Sequence, residues 1–143
     1  MKLIVDTNIV FSAILNIDSN IAQLLLNSGD KFQFYSCEFL RHEINTHKNK
    51  ILKITRYSER NFLDIEYLVT KNITFINHYV IDSKKLERAK LLCQNIDIKD
   101  SPFVALSQHL KAKLWSGDKI LCKGLKANNY KDVITTQELI NLK

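Results

Sequence analysis

The chain has 143 residues, 45% of them hydrophobic and 25% charged, with only 3 Gly and 1 Pro; this fits one folded domain over residues 1–143 with a full core and excludes a linker-rich or low-complexity chain. There are 9 Lys and Arg against 8 Asp and Glu in residues 1–71, but 12 against 7 in residues 72–143. A net +6 weighted to the second half favours polyanions, nucleic acid first among them, with a plain Lys-rich solvated surface as the alternative.

Residues 3–5, Leu-Ile-Val, are apolar without alternation, the pattern of a strand buried on both faces at the centre of a parallel sheet. Asp6 ends the run, so its carboxylate falls at the carboxyl end of that strand, where open α/β sheets bind ligands. The same acid makes the run too short for a signal peptide. No stretch reaches the length of a membrane span, so no membrane association is expected. A short helix follows over residues 7–15, capped by Asp6 or Thr7, and a second over residues 21–26, capped by Asp18 or Ser19 and ended at Gly29. Residues 32–35 read as a strand. Ser36 is then expected to cap a helix running through about residue 48, carrying Leu40, Glu43 and Ile44. A helix over 58–70 and a strand over 73–76 come next. Asp82 or Ser83 opens a helix of about a dozen residues. Residues 101–110 form a helix with Pro102 in its first turn, where a missing N–H does no harm. A strand over 113–116, a Gly117-Asp118 turn, a short helix over 119–125, a strand over 132–135 and a helix over 136–142 complete the chain. Strands separated by helix throughout predict an α/β protein with a five-stranded parallel sheet and right-handed crossovers. The three cysteines, Cys37, Cys93 and Cys122, are odd in number and widely spaced. They suit buried thiols in a reducing, cytoplasmic setting rather than a disulfide framework.

On this scheme Asp6, Glu43, Asp97, Asp100 and Asp118 all lie on segments that leave the carboxyl ends of strands. Carboxylates a few ångströms apart raise one another's pKa, and a divalent cation removes the conflict. Oxygen-only ligands suit Mg²⁺ or Mn²⁺, and two such ions about 4 Å apart are a common device for in-line phosphodiester cleavage. Each acid also has a structural reading: Asp100 as a helix cap, Asp118 as a turn residue, Glu43 as a solvated helical side chain. Asp6 is the hardest to explain away, because an acid inside an apolar run is costly to bury alone. His42 and His47 imitate a zinc-protease HExxH signature with one residue too many. That spacing puts them about 140° apart around a helix, so they share no face.

Taken together, Val5-Asp6-Thr7-Asn8, Glu43, the stretch 97–106 (Asp-Ile-Lys-Asp-Ser-Pro-Phe-Val-Ala-Leu) and the stretch 114–119 (Leu-Trp-Ser-Gly-Asp-Lys) resemble a PIN domain over the whole chain. The resemblance implies a three-layer α/β/α sandwich and a metal-dependent ribonuclease. Its catalytic and metal-binding acids, carried over by motif, are Asp6, Glu43, Asp100 and Asp118; Asp97 belongs to the motif but turns the loop. It further implies cleavage by metal-activated water leaving 5′-phosphate and 3′-hydroxyl ends. Asn8 and Ser116 would orient ligands or phosphate, and Lys119 would neutralise the scissile phosphate. Many stand-alone members resemble VapC-like toxins of type II toxin–antitoxin pairs, in which an antitoxin peptide fills the active-site groove and homodimers are common. RNA would be drawn by Lys84, Lys85, Arg88, Lys111, Lys113, Lys123 and Lys126, or by Lys48, Lys50, Lys53, Arg56 and Arg60. Two other readings compete. One is a PIN fold that binds nucleic acid or a partner without turnover. The other is a Mg²⁺-binding phosphorelay receiver, against which Asn77 stands where the phosphoacceptor acid belongs.

Overall fold

The computed structural model describes residues 1–142. β1 (Lys2–Val5) is followed by α1 (Thr7–Leu15) and α2 (Asn20–Asn27), and β2 (Gln33–Cys37) by α3 (Glu38–Thr46), α4 (Lys48–Thr55) and α5 (Glu59–Thr70). β3 (Ile73–Ile76) leads through a 3₁₀ turn at His78–Val80 to α6 (Ser83–Cys93), and a second such turn at Ile98–Asp100 opens α7 (Ser101–Leu110). β4 (Lys113–Trp115), α8 (Lys119–Ala127), β5 (Val133–Ile134) and α9 (Thr136–Leu142) complete the order.

The five strands form one parallel sheet in the order β3-β2-β1-β4-β5. β1 lies at its centre with Leu3 opposite both Phe34 and Lys113. Leu3, Ile4 and Val5 are fully buried, as an apolar run without alternation requires. The chain steps outward from β1 to β2 and β3, then crosses back to β4 and β5. Right-handed connections therefore place α1, α2 and α5 on one face and α6, α7 and α8 on the other. The packing agrees: α1, α2 and α5 touch one another, while α7 lies across β1, β2 and β4 with α6 behind it. This is the expected three-layer sandwich. The direction of travel reverses between β1 and β4, so the crevice beyond their carboxyl ends is the switch point at which such sheets bind ligands.

Short polar side chains start the helices. Asp6 accepts from the Ile9 N–H at 3.1 Å, Ser19 from Ala22, Ser58 from Asn61 and Asp82 from Lys84, each cap contributing on the order of 1 kcal/mol. Trp115, fully buried, packs on Phe34 and donates its indole N–H to Thr136 Oγ1 at 3.0 Å, which ties β4 to α9. Gly124 lets α8 approach the loop after α6: a Cβ there would stand 2.5 Å from Ile96 Cδ1. The cysteines are free and buried. Among the described residues no single helix is long and apolar enough to cross a membrane.

Two expectations from the sequence need correction. Ser36 does not cap a helix: it lies within β2, and its hydroxyl donates to the Val5 carbonyl at 2.7 Å, satisfying a buried acceptor at the end of the central strand. The helix expected through residue 48 breaks at His47 into α3 and α4. Thr46 contributes to the break, because its hydroxyl bonds back to the His42 carbonyl at 2.9 Å, a bond that bends helices. The receiver reading is overturned by topology. Receivers place strand three beside strand one; here β4 takes that position and β3 sits at the edge.

Candidate active site

The site is built at the β1–β4 crevice. Asp6, the residue after β1, is only 2% exposed. Its Oδ1 is committed to the Ile9 N–H, so the carboxylate is fixed by the helix it starts. Asp118 stands three residues beyond β4 and caps α8, its Oδ1 accepting from the Ile120 and Leu121 N–H groups at 3.0 and 3.1 Å. Between them Ser116, 1% exposed, accepts from the Asp118 N–H at 3.1 Å and turns its hydroxyl to the Asp6 carboxylate. Glu43 arrives from α3, a segment remote in sequence. The Thr7 hydroxyl donates to its Oε1 at 2.5 Å and so joins the start of α1 to the middle of α3. Asp100 immediately precedes α7 but makes no side-chain cap bond, so its oxygens are not taken up by the helix. Asp97 caps the preceding 3₁₀ turn through the Lys99 N–H at 3.0 Å.

These acids border one recess of about 150 Å³, lined by Asp6, Thr7, Asn8, Phe11, Glu43, His47, Asp97, Lys99, Asp100 and Asp118. Crowding and burial act on their titration. Asp6 is raised from 3.8 to about 6, chiefly because burial disfavours its charge, with Asp118 and Glu43 adding to the rise against the pull of Ser116 and the Ile9 N–H. Asp100 is raised to about 7, again by burial first and then by Asp97, Asp6, Asp118 and Glu43. The recess thus resists carrying its own negative charge.

A family model described as PIN domain matches residues 4–139. The chain belongs to the PIN domain family. No curated protein matches it. The PIN domain is a nuclease fold, and PIN nucleases generally use divalent metals. The donor set fits such an ion in kind: Asp6, Glu43, Asp100 and Asp118 offer only hard oxygen ligands, and the raised carboxyls of Asp6 and Asp100 are what a nearby cation would relieve. Among the described residues no three His, Cys, Asp or Glu side chains already stand in ligating geometry. The PIN recess therefore supplies the donors without a preset coordination shell.

The other residues singled out in the sequence separate in space. Asn8 is exposed and lines the recess. Ser116 is buried behind it, so its hydroxyl orients Asp6 and Asp118 rather than meeting a phosphate directly. Lys119 does not line the recess; it opens on the neighbouring groove along α8. Sequence reading missed Thr7, His47 and Lys99 at the rim. Thr7 lies inside the Val5–Asn8 stretch that carries the resemblance, but its bond to Glu43, 36 residues away, has no signal in the sequence. His47 comes into place through the break between α3 and α4, and it packs against Phe11 with ring centroids 5.7 Å apart.

Proposed function

We propose that this PIN domain is a cytoplasmic, divalent-metal-dependent endoribonuclease. The observation that supports the reading is the meeting of Asp6, Glu43, Asp100 and Asp118, from four separate segments, around one recess at the switch point of the sheet. These four residues would hold Mg²⁺ or Mn²⁺. Bound there, the ion supplies the positive charge that lets a phosphodiester approach the acids, and it makes water easier to deprotonate. The chain's own part is positioning. Ser116 and the Ile9 N–H fix Asp6, Thr7 fixes Glu43, and the α8 amides fix Asp118. Lys99 at the rim and Lys119 beside it attract the scissile phosphate. The test is incubation of single-stranded RNA with Mn²⁺, comparing wild type with Asp6→Asn, which keeps an acceptor for the Ile9 N–H. Cleavage by the wild type alone, leaving 5′-phosphates, supports the reading. Equal cleavage by both proteins, or none by either, removes it in favour of a binding module.

A second part of the proposal is that the protein is the toxin of a type II toxin–antitoxin pair. What favours it is a groove of about 340 Å³ that continues from the recess, sharing Asn8, Phe11 and His47 and walled by Leu15, Ile51 and Ile54. An apolar peptide laid there with a basic side chain over the acids would close the site. A neighbouring gene whose product abolishes cleavage and copurifies with this chain supports that role; a neighbour that does neither argues against it.

A further inference from the structure

The recess adjoins two grooves. Toward α4 the lining includes Leu15, Ile51 and Ile54 together with Lys50. Toward α8 lies a groove of about 490 Å³ that shares Asp118 with the recess and has Ser116 and Gly117 at its inner end. One wall carries Lys119, Lys123 and Lys126; the other is Thr135, Thr136 and Gln137. The three lysines are spaced i, i+4, i+7 on α8, so they stack on one face over about 10 Å of helix. Among the described residues none of them is in a salt bridge, and apart from Asp118 the groove lining carries no acid. A Lys-rich face that merely keeps a protein soluble has no reason to follow the edge of a groove that begins at the acids.

We propose that the Lys119–Lys123–Lys126 face of α8 is a one-sided track for the backbone of single-stranded RNA, leading away from the scissile phosphate. This rests on the ribonuclease reading for its substrate class, and it adds which side of the recess the strand occupies and which residues hold it. Lys119 takes the phosphate nearest Asp118. Lys123 and Lys126 take those farther along, with Thr135, Thr136 and Gln137 as the opposite wall, where the Thr135 hydroxyl donates to Glu138 Oε1 and Thr136 Oγ1 accepts the Trp115 indole N–H.

The test uses the whole chain in chelator, so that binding is read without cleavage. A short labelled single-stranded RNA is titrated by fluorescence anisotropy over a range of salt. Each phosphate contact on a single strand contributes about 0.7 to the slope of log K against log salt. The variant Lys123→Gln/Lys126→Gln should therefore lower the slope by about 1.4 while leaving its urea midpoint unchanged. The control Lys31→Gln/Lys71→Gln, at the amino-terminal edge of the sheet, should leave the slope as it is. An unchanged slope for the α8 variant, an equal fall in the control, or no RNA binding by the wild type overturns the track. The two readings fail separately. RNA cleavage that depends on Asp6, with the slope untouched by the lysine changes, removes the track and keeps the nuclease. The predicted fall in slope in a protein that never cleaves RNA keeps the track and removes the nuclease.

Discussion

Replacing Asp6 with Asn should make the metal-free protein more stable at neutral pH while abolishing its activity. Asp6 is almost wholly buried, and its carboxyl titrates at about 6 instead of 3.8. Roughly two units at about 1.36 kcal/mol each put the cost of keeping it ionised on the order of 3 kcal/mol. The sign follows from linkage. The folded pKa lies above the unfolded one, so the native state holds the proton more tightly between pH 3.8 and about 6. The cost is absent below that window, grows through it, and is complete above it. Asn keeps the shape and an oxygen for the Ile9 N–H, so the α1 cap survives. Urea unfolding in chelator at a series of pH values is the assay. The variant should match the wild type near pH 4 and exceed it near pH 8 by up to about 3 kcal/mol. Asp100 is raised for the same reasons and adds a decline of the same sign in both proteins. A wild type whose stability is flat across this range, or a variant less stable than wild type at pH 8, would refute the reasoning.

An ion that binds only the folded state must raise the melting temperature. Mn²⁺ at about 100 times its Kd should add about 2.7 kcal/mol to the wild type and nothing to an Asp6→Asn/Asp100→Asn double variant, as read by thermal melts with and without chelator. Thr7→Val removes the hydroxyl that holds Glu43 and keeps the shape. We expect a roughly tenfold fall in kcat with little change in KM, and recovery in Thr7→Ser, because only positioning is lost. Ser116→Ala leaves the Asp118 N–H without its acceptor and Asp6 with the Ile9 N–H but without the Ser116 hydroxyl. It should destabilise the chain by about 1–3 kcal/mol in urea and push the Asp6 carboxyl still higher, seen by NMR titration.

Much of this architecture is legible in the sequence because local and global signals agree. The unbroken Leu3-Ile4-Val5 run reads as a central strand, and it is fully buried between β2 and β4. Asp6, Ser19 and Asp82 stand where helix caps belong, and each makes its bond. The site is legible for a related reason: acids that follow strands in a parallel sheet must leave it at one edge. Reading fails where tertiary demand outranks local preference. Ser36 has the chemistry of a cap but serves the buried Val5 carbonyl. Residues 36–48 have helical periodicity, but nothing in that pattern marks the break at His47 that brings its ring to the rim. Strand order lies beyond a single sequence as well, yet it separates this fold from a receiver and puts Ser116 and Asp118 beside Asp6.

The position of β4 has a consequence for biosynthesis. The rim of the recess joins residues 6 and 118, and the strand that precedes Asp118 is also the partner that covers one flank of β1. Until residues 113–118 have emerged from the ribosome, β1 lacks that neighbour, the rim lacks Asp118, and Asp6 lacks Ser116 behind it. A nascent chain without them has an incomplete recess and a bare hydrophobic edge on its central strand, the kind of edge that pairs wrongly and aggregates. Completion of the recess and covering of that edge therefore come in the same step.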